Sequence, residues 1–227
     1  MNWEDESYLL SKKKFRENAN IINVFCKTKG RISGIVYGAS SRKTRNYLQI
    51  SNKLFISYNS KNQNRIGYFK TELIKPISPI YFNDKERTSA LISACSILNF
   101  LLPENQPNEN IYRYFEKFLN SINLENWIIL YVFFELKMIK DLGYDPDLAN
   151  YKNSDFNNEE TEKIKIENIV YEVPYYLISE EVPKNISYSL IKRSLYFTRS
   201  LIQNRFFIPN NLPFPKSRII LENYFND

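Results

Sequence analysis

The sequence predicts an α+β protein: a small N-terminal β-barrel of the OB type, followed by a helical bundle that carries a short β-hairpin insertion. Three observations lead to this fold class. Five strand-like runs with polar or glycine-containing turns occupy residues 1–80, and from Asn83 onward the apolar residues recur at helical spacing. The charge changes at the same place. Met1–Phe82 carries 15 Lys+Arg and 5 Asp+Glu, whereas the rest of the chain carries 16 and 20, an asymmetry expected when one module faces a polyanion.

The strand-like runs alternate between polar and apolar residues, as half-buried strands do. They are predicted over residues 3–14, 21–26, 31–37, 48–58 and 66–77. Gly30, Gly34 and Gly38 permit tight turns and sharply bent strands, while Pro76 and Pro79 end the fifth strand. A small closed barrel of the OB type fits these strands and commonly binds single-stranded nucleic acid, although an SH3-like barrel would give much the same pattern.

A basic loop is predicted between the third and fourth strands. After Gly38, no apolar side chain larger than Ala39 occurs before Tyr47. The charged residues of this segment are all cations: Arg42, Lys43 and Arg45. Such a segment cannot build a core, so two interpretations stay open: a solvated surface turn, or a loop that binds phosphate.

Helices are predicted in the second part of the chain from capping residues and apolar spacing. Asp84 is a candidate N-cap for a helix whose apolar run extends from Ala90 to Leu102, and Gly143 ends a helix that begins near Leu124. The other helices are predicted over residues 111–122, about 187–205 and 216–224.

An irregular polar segment, residues 144–163, is expected to be a mobile loop. After it, residues 163–173 alternate loosely and predict a strand that pairs with residues 175–178 in a hairpin. These patterns divide the chain into four parts. They are a basic barrel (1–80), a helical domain (83–150), a loop and hairpin segment (151–185), and C-terminal helices that pack on the helical domain (186–227).

The composition excludes several kinds of chemistry. The chain has no histidine, which rules out His-based acid–base catalysis and His metal ligation. Cys26 and Cys95 lie in apolar runs and form no CxxC pair, so we expect two buried thiols and neither a metal nor another cofactor. Asp145, Asp147 and the carboxylates of residues 159–162 lie in predicted loops without a phosphate-cradling motif. This favours a solvated surface over a nuclease or other hydrolase, and we expect no enzymatic activity.

The ends and apolar runs of the chain bear on its location. The N-terminus is acidic and has no apolar core, unlike a signal peptide. No run of 18 apolar residues occurs, so the sequence predicts no membrane span. We therefore expect a soluble cytoplasmic protein.

An ordered set of short patterns resembles one known family. In chain order the patterns are Trp3-Glu4-Asp5-Glu6, Leu9-Leu10-Ser11, Glu17-Asn18, Gly30, Gly34, Gly38-Ala39, Arg42-Lys43, Leu48-Gln49, Glu135-Leu136, Leu142-Gly143-Tyr144 and Asp147-Leu148. Together they resemble the RecO recombination-mediator family of bacterial DNA repair proteins. The resemblance covers residues 1–150, and the last 80 residues are similar by architecture.

The resemblance implies an N-terminal OB fold, a helical middle and an appended C-terminal segment. It also implies a non-enzymatic, nucleoid-associated role: binding single- and double-stranded DNA, annealing complementary strands, and working with RecR to load recombinase onto DNA coated with single-strand-binding protein. Many family members carry a four-cysteine zinc module between the helical parts. This chain has no Cys from Tyr144 to Pro183, so its hairpin is expected to be a zinc-free remnant.

The basic barrel supplies the candidate DNA-binding residues, because cations neutralise the phosphate backbone without sequence preference. They are Lys12, Lys13, Lys14, Arg16, Lys29, Arg31, Arg42, Lys43, Arg45 and Tyr47. The ring of Tyr47 could stack on a base, with core packing equally open. For Tyr37, core packing is the favoured interpretation.

A second hypothesis is a non-catalytic protein-interaction scaffold whose basic barrel binds an acidic partner. The acidic tail of a single-strand-binding protein, which ends in an apolar residue, would need an apolar groove rimmed by Lys or Arg. The candidate grooves lie beside Phe115, Phe118 and Leu195. Their candidate cations are Arg113, Lys117, Lys192, Arg193 and Arg199. Annealing of complementary strands would distinguish a mediator from a scaffold.

Overall fold

A computed structural model describes residues 1–60, 66–152 and 161–226. It confirms the α+β fold class, with a closed five-stranded barrel, a helical region and a two-stranded hairpin. The chain forms two compact units, Met1–Arg113 and Tyr114–Asp227. No helix in the described part of the chain is long and apolar enough to cross a bilayer.

The barrel consists of five strands with one short helix between the third and fourth. These elements are β1 (Asn2–Arg16), β2 (Ala19–Cys26), β3 (Gly30–Tyr37), α1 (Arg42–Tyr47), β4 (Lys53–Asn59) and β5 (Gly67–Lys75). Their order around the barrel is β1-β2-β3-β5-β4, and β4 pairs with β1 to close it. All neighbours are antiparallel except β3 and β5. The crossover that inserts β5 between β3 and β4 is a Greek-key connection, as in OB folds.

The barrel core follows the predicted alternation of the strands. Its fully buried members include Leu9, Ile22, Val24, Leu54 and Ile56. Gly34 is required where β3 passes over the ring of Phe69, since a Cβ at this position would lie 2.3 Å from Phe69 Cε2. The absence of a side chain therefore lets the strand and the core ring approach each other closely.

Two predictions for the segment after β3 are corrected. The predicted basic loop contains α1, and the fourth strand begins at Lys53 rather than residue 48. The backbone before β4 is held instead by Asn52, whose side chain is fully buried. Asn52 Nδ2 donates to the Tyr47 carbonyl at 2.8 Å, and Asn52 Oδ1 accepts from the Ile77 amide at 2.7 Å. These bonds fix the segment before β4 together with two backbone bonds to β1, from the Leu9 amide to the Asn52 carbonyl at 3.1 Å and from the Ser51 amide to the Leu9 carbonyl at 2.8 Å.

Two further helices follow the barrel strands: α2 (Lys85–Leu101) and α3 (Glu109–Ser121). The predicted N-cap is confirmed, because Asp84 Oδ1 accepts from the Arg87 amide at 2.9 Å. Helix α2 packs against β1, and Asn23 Nδ2 of β2 donates to Asn99 Oδ1 of α2 at 2.8 Å. Within the first unit, the helix therefore covers part of the outer surface of the barrel.

The second unit contains the remaining elements. They are α4 (Trp127–Asp141), a 3-10 turn (Leu148–Tyr151), β6 (Thr161–Ile166), β7 (Ile169–Pro174), α5 (Tyr175–Ser179), α6 (Tyr188–Ile202), a π-helical turn (Gln203–Phe207) and α7 (Lys216–Asn223). Gly143, at φ +90°, follows α4 as predicted. The expected mobile loop falls partly on residues 153–160, which lie outside the described residues.

The two strands of the hairpin are not the segments that were predicted. Residues 163–173 do not form one strand: β6 and β7 pair with each other, and Glu167 takes a positive φ of 54° at the turn between them. Residues 175–178 belong to α5 and not to a strand. The loose apolar alternation on both sides of residues 167–168 concealed this turn from sequence reasoning.

A buried ion pair crosses the core of the second unit. Arg218 of α7 and Glu135 of α4 are both fully buried, and Arg218 Nε donates to Glu135 Oε1 at 2.7 Å. Burial alone would lower the pKa of Arg218, but attraction to Glu135 and its neighbours raises the pKa above its ordinary value. The guanidinium therefore stays charged inside the unit.

Candidate nucleic-acid interface

Helix α1 presents three cations on its surface. The side chain of Ser41 caps the helix by accepting from the Thr44 amide at 3.2 Å, and no residue of α1 is buried. Arg42, Lys43 and Arg45 are all exposed. None of the three forms an ion pair with any residue in the described ranges. Their charges are therefore available to an external anion.

The end of β1 brings further cations to the same end of the barrel. Lys12 Nζ donates to the Leu48 carbonyl at 2.8 Å, directly after the last residue of α1. Partial burial there lowers the pKa of Lys12. The turn after β1 contacts the segment between β3 and α1, because the Gly38 amide donates to the Asn18 carbonyl at 2.9 Å. We call the seven cations of this region the basic end: Lys12, Lys13, Lys14, Arg16, Arg42, Lys43 and Arg45.

Two candidates lie at the opposite end of the barrel. Lys29 is in the β2–β3 turn, and Arg31 is six residues before Tyr37 on β3, about 20 Å along a strand. Arg31 Nε donates to the Leu102 carbonyl at 2.7 Å, and Arg31 Nη1 lies 3.4 Å from Glu104 Oε1. Arg31 is therefore occupied in attaching the segment after α2 to the barrel. Neither residue joins the basic end.

The structure separates the roles of Tyr37, which ends β3, and Tyr47, which ends α1. Tyr47 packs against the barrel core, and its hydroxyl bonds to the Thr71 carbonyl at 2.8 Å and to Thr71 Oγ1 at 2.9 Å. These contacts anchor α1 on β5, and the half-buried ring also lines the cleft that Tyr37 borders. Tyr37, for which core packing was favoured, is instead 59% exposed, because it ends β3 on the outer face of the barrel.

Sequence reasoning missed two residues of β5. Tyr68 is 38% exposed and Lys70 is exposed, whereas the alternating residues Gly67 and Phe69 are buried. This alternation was visible in the sequence, but only the strand pairing shows that Tyr68 lies next to β3. Tyr37, Tyr68 and Lys70 line one cleft of about 330 Å³ together with Thr44 of α1.

The apolar residues first considered for a partner groove are not exposed. Phe115, Phe118 and Leu195 are all buried, so packing inside the second unit uses their apolar surfaces. Arg199 Nε is engaged with Glu222 Oε2 at 2.8 Å. The other four cations are exposed: Arg113, Lys117, Lys192 and Arg193.

No group of three or more His, Cys, Asp or Glu side chains that could hold a metal ion occurs within residues 1–60, 66–152 and 161–226. Cys26 and Cys95 are both buried and unbridged, as expected. Burial raises the pKa of both thiols, which keeps them in the neutral form. The basic end itself offers cations for electrostatic binding of an anion, with exposed aromatic rings beside it.

Two family models match consecutive parts of the chain. A family model described as "Recombination protein O N terminal" matches residues 1–77, and one described as "Recombination protein O C terminal" matches residues 83–197.

Curated relatives show the same similarity. A DNA repair protein RecO from Ehrlichia chaffeensis is 32% identical over 151 residues, which are 66% of this chain and 61% of that protein. Proteins of the same name from Ruegeria sp. and Wolbachia sp. are 28% and 32% identical over 150 and 151 residues, covering 66% of this chain and 62% of each relative. The matched region thus spans about three fifths of the length of these relatives.

Proposed function

Because the chain belongs to the recombination protein O (RecO) family, we propose that it acts in DNA repair as a recombination mediator that binds DNA through the basic end of its barrel. The proposed activities are binding of single- and double-stranded DNA and annealing of complementary strands. With RecR, the protein would also help to load recombinase onto DNA coated with single-strand-binding protein. DNA binding would bring it to the nucleoid.

The observation that carries this proposal is the grouping of seven cations at one end of the barrel. Sequence alone distributes the basic residues over the first 75 positions, whereas the fold gathers those of β1 and α1 and separates Lys29 and Arg31 from them. Exposed cations release counterions when they contact phosphates, which yields affinity for any sequence. A mediator that must act wherever DNA is damaged needs this kind of binding.

Annealing follows from the same electrostatics. Two single strands repel each other through their phosphates, and neutralising cations reduce that repulsion while leaving base edges free to pair. The process breaks no covalent bond and consumes no nucleotide, so it needs no catalytic residues. A non-enzymatic mediator is therefore the reading that the basic end supports.

The proposed protein partners are RecR and the acidic C-terminal tail of single-strand-binding protein. For the tail, Lys192 and Arg193 of α6 remain available because both are exposed. Opposite charges would steer such a tail toward these residues. The buried state of Leu195 means that any apolar pocket for the tail must involve other side chains than those first considered.

The test is the joint replacement of Arg42, Lys43 and Arg45 by Ala, with single-stranded DNA affinity measured against salt concentration. Each lost phosphate contact should flatten the log-affinity versus log-salt slope by about 0.7, so three contacts should remove roughly 2 units. Affinity should fall to a similar extent for all DNA sequences. Exposed substitutions usually change stability by less than about 0.5 kcal/mol, so the melting temperature should be preserved.

A charge-matched control distinguishes a local effect from a loss of net charge. Lys163, Lys165 and Lys184 are exposed in the second unit, and their joint replacement by Ala removes the same three charges. This control should keep the wild-type salt slope and the wild-type annealing rate. An unchanged slope in the folded α1 variant would remove α1 from the DNA site and leave Lys12, Lys13 and Lys14 as the next candidates. Wild-type protein that binds no DNA and anneals no strands would refute the mediator.

A further inference from the structure

The geometry points to a base-stacking platform beside the basic end: we infer that Tyr37 and Tyr68 stack on unpaired nucleobases and make the site selective for single strands. This inference rests on the proposed function, because it assigns a specificity to the same site. It concerns two residues that lie outside α1 and contribute no charge.

The two rings lie side by side on adjacent strands. Strands β3 and β5 run parallel, with Ile35 opposite Tyr68, and Tyr37 follows Ile35 on the same face of β3. The ring centroids of Tyr37 and Tyr68 are 6.4 Å apart, with an angle of 57° between the planes. Both rings are substantially exposed, at 59% and 38%. Two neighbouring aromatic faces open to solvent form the surface that successive bases can use.

The surroundings of the rings hold them in place. Beneath them, Val36 and Phe69 belong to the barrel core, and Tyr47 is fixed to Thr71 by its two hydrogen bonds. The rings therefore stand on a sheet with a packed interior and not on a long loop. Lys70, exposed in the same cleft, places a cation within reach of a phosphate of the strand whose bases are stacked.

Parts of the outer barrel surface are covered by the chain itself. OB folds commonly bind oligonucleotides on the face of strands 2 and 3. Here the chain covers part of that face itself, since Asn23 bonds to Asn99 of α2 and the ring of Phe25 packs 5.3 Å from that of Tyr112. The segment after α2 covers the Arg31 end of β3. The Tyr37 end of β3 and its neighbour β5 stay exposed.

Stacking on this platform would discriminate between single strands and duplexes. In a duplex the base faces are already stacked on each other, so a duplex offers mainly its phosphates to the basic end. An unpaired strand offers phosphates and base faces together. Bases held by their faces also keep their pairing edges free, which is the state that annealing to a complementary strand requires.

The test compares three probes on the wild type and on a Tyr37→Thr/Tyr68→Thr variant. Threonine retains strand propensity while removing the rings. The probes are oligothymidylate, an abasic deoxyribose-phosphate polymer of equal length, and a hairpin duplex. Each stacked base is worth roughly 5- to 150-fold in affinity, so the wild type should prefer oligothymidylate over the abasic polymer by at least about fivefold. The variant should lose most of this preference while keeping its duplex affinity and salt slope.

Two control variants keep the result specific to these rings. Tyr37→Phe/Tyr68→Phe retains the ring faces and should bind like the wild type. Tyr188→Ala/Tyr196→Ala removes two tyrosines of similar exposure, 57% and 56%, from the second unit and should also bind like the wild type. If the double Thr variant fails to fold, Tyr37→Thr alone must lower the preference for oligothymidylate, because Tyr37 is the more exposed ring.

The outcomes separate this inference from the function on which it rests. An unchanged preference for oligothymidylate in the folded Thr variant overturns the platform, and the salt slope of the α1 variant still supports DNA binding by the basic end. Equal wild-type affinity for oligothymidylate and the abasic polymer also overturns the platform. Absence of wild-type binding to all three probes refutes the proposed function itself.

Discussion

Removing one partner of the buried ion pair in the second unit should destabilise the protein far more than any surface change. Arg218→Ala removes donors to both oxygens of Glu135, at 2.7 Å for Nε to Oε1 and 3.1 Å for Nη2 to Oε2. It also removes the bond from Nη2 to the Leu195 carbonyl at 2.7 Å. Helix α7 then loses these bonds to α4 and α6 and keeps the ion pair of Glu222 with Arg199 of α6.

The size of the destabilisation follows from the buried Glu135 carboxylate that Arg218→Ala leaves without its cation. In Arg218→Ala, Glu135 keeps the hydroxyl donors of Tyr131 at 2.7 Å and Thr198 at 2.5 Å, but no positive charge compensates its fully buried carboxylate. Breaking a buried pair by removing one partner costs about 3–5 kcal/mol. For a chain of this size, each kcal/mol lowers the melting temperature by about 2–4 °C. The expected decrease is therefore roughly 6–20 °C.

The assay is thermal and urea unfolding of the full chain, followed by circular dichroism. Two variants provide the comparison. Glu135→Leu/Arg218→Met removes both charges and should be much more stable than Arg218→Ala, since apolar replacement of a whole buried pair is often neutral or stabilising. Lys216→Ala, an exposed position on α7, should stay within about 0.5 kcal/mol of the wild type. If Arg218→Ala had the same melting temperature as Lys216→Ala, the ion pair between Arg218 and Glu135 would not form in the folded protein.

The remaining predictions concern the barrel and metal binding. Gly34→Ala should lower the free energy of unfolding by about 1–3 kcal/mol, because its Cβ would lie 2.3 Å from the Phe69 ring. Gly38→Ala is the control for backbone strain, since φ is +71° there but a Cβ meets no atom within 4 Å. Unfolding curves of the two variants are compared. The purified protein should contain no stoichiometric zinc, and chelation should leave its melting temperature unchanged, because the chain has no histidine and both cysteines are buried. Elemental analysis that finds about one zinc per chain would contradict this expectation.

Features with a local cause could be read from the sequence. The alternation of apolar residues predicted the strands that form the barrel, and the helical spacing predicted the helices that follow it. Asp84 was recognisable as an N-cap because the bond it accepts, from the Arg87 amide, spans only three residues. The excess of cations in the first 82 residues likewise needs no structure to be counted.

Other predictions failed because local pattern does not show what packs on each side of an element. Tyr37 follows an apolar pair and Tyr47 follows a polar run in the sequence, yet the fold exposes the first and anchors the second on Thr71. The apolar residues on both sides of Glu167 were interpreted as one strand because the turn between β6 and β7 contains only two residues. The short helix α1 was missed because five of its six residues are polar, and of the six only Tyr47 packs against the core.

The sequence by itself determined the class of each module, the order of the modules and the sign of the charge on the first. Only the tertiary structure decided which cations are available: it brings Lys12 to the end of α1 and commits Arg31 to Glu104, 73 residues away. It also pairs Glu135 with Arg218 across 83 residues. Propensity and periodicity act over a few neighbouring residues, whereas a contact between distant residues exists only after the chain has folded and excluded water around it.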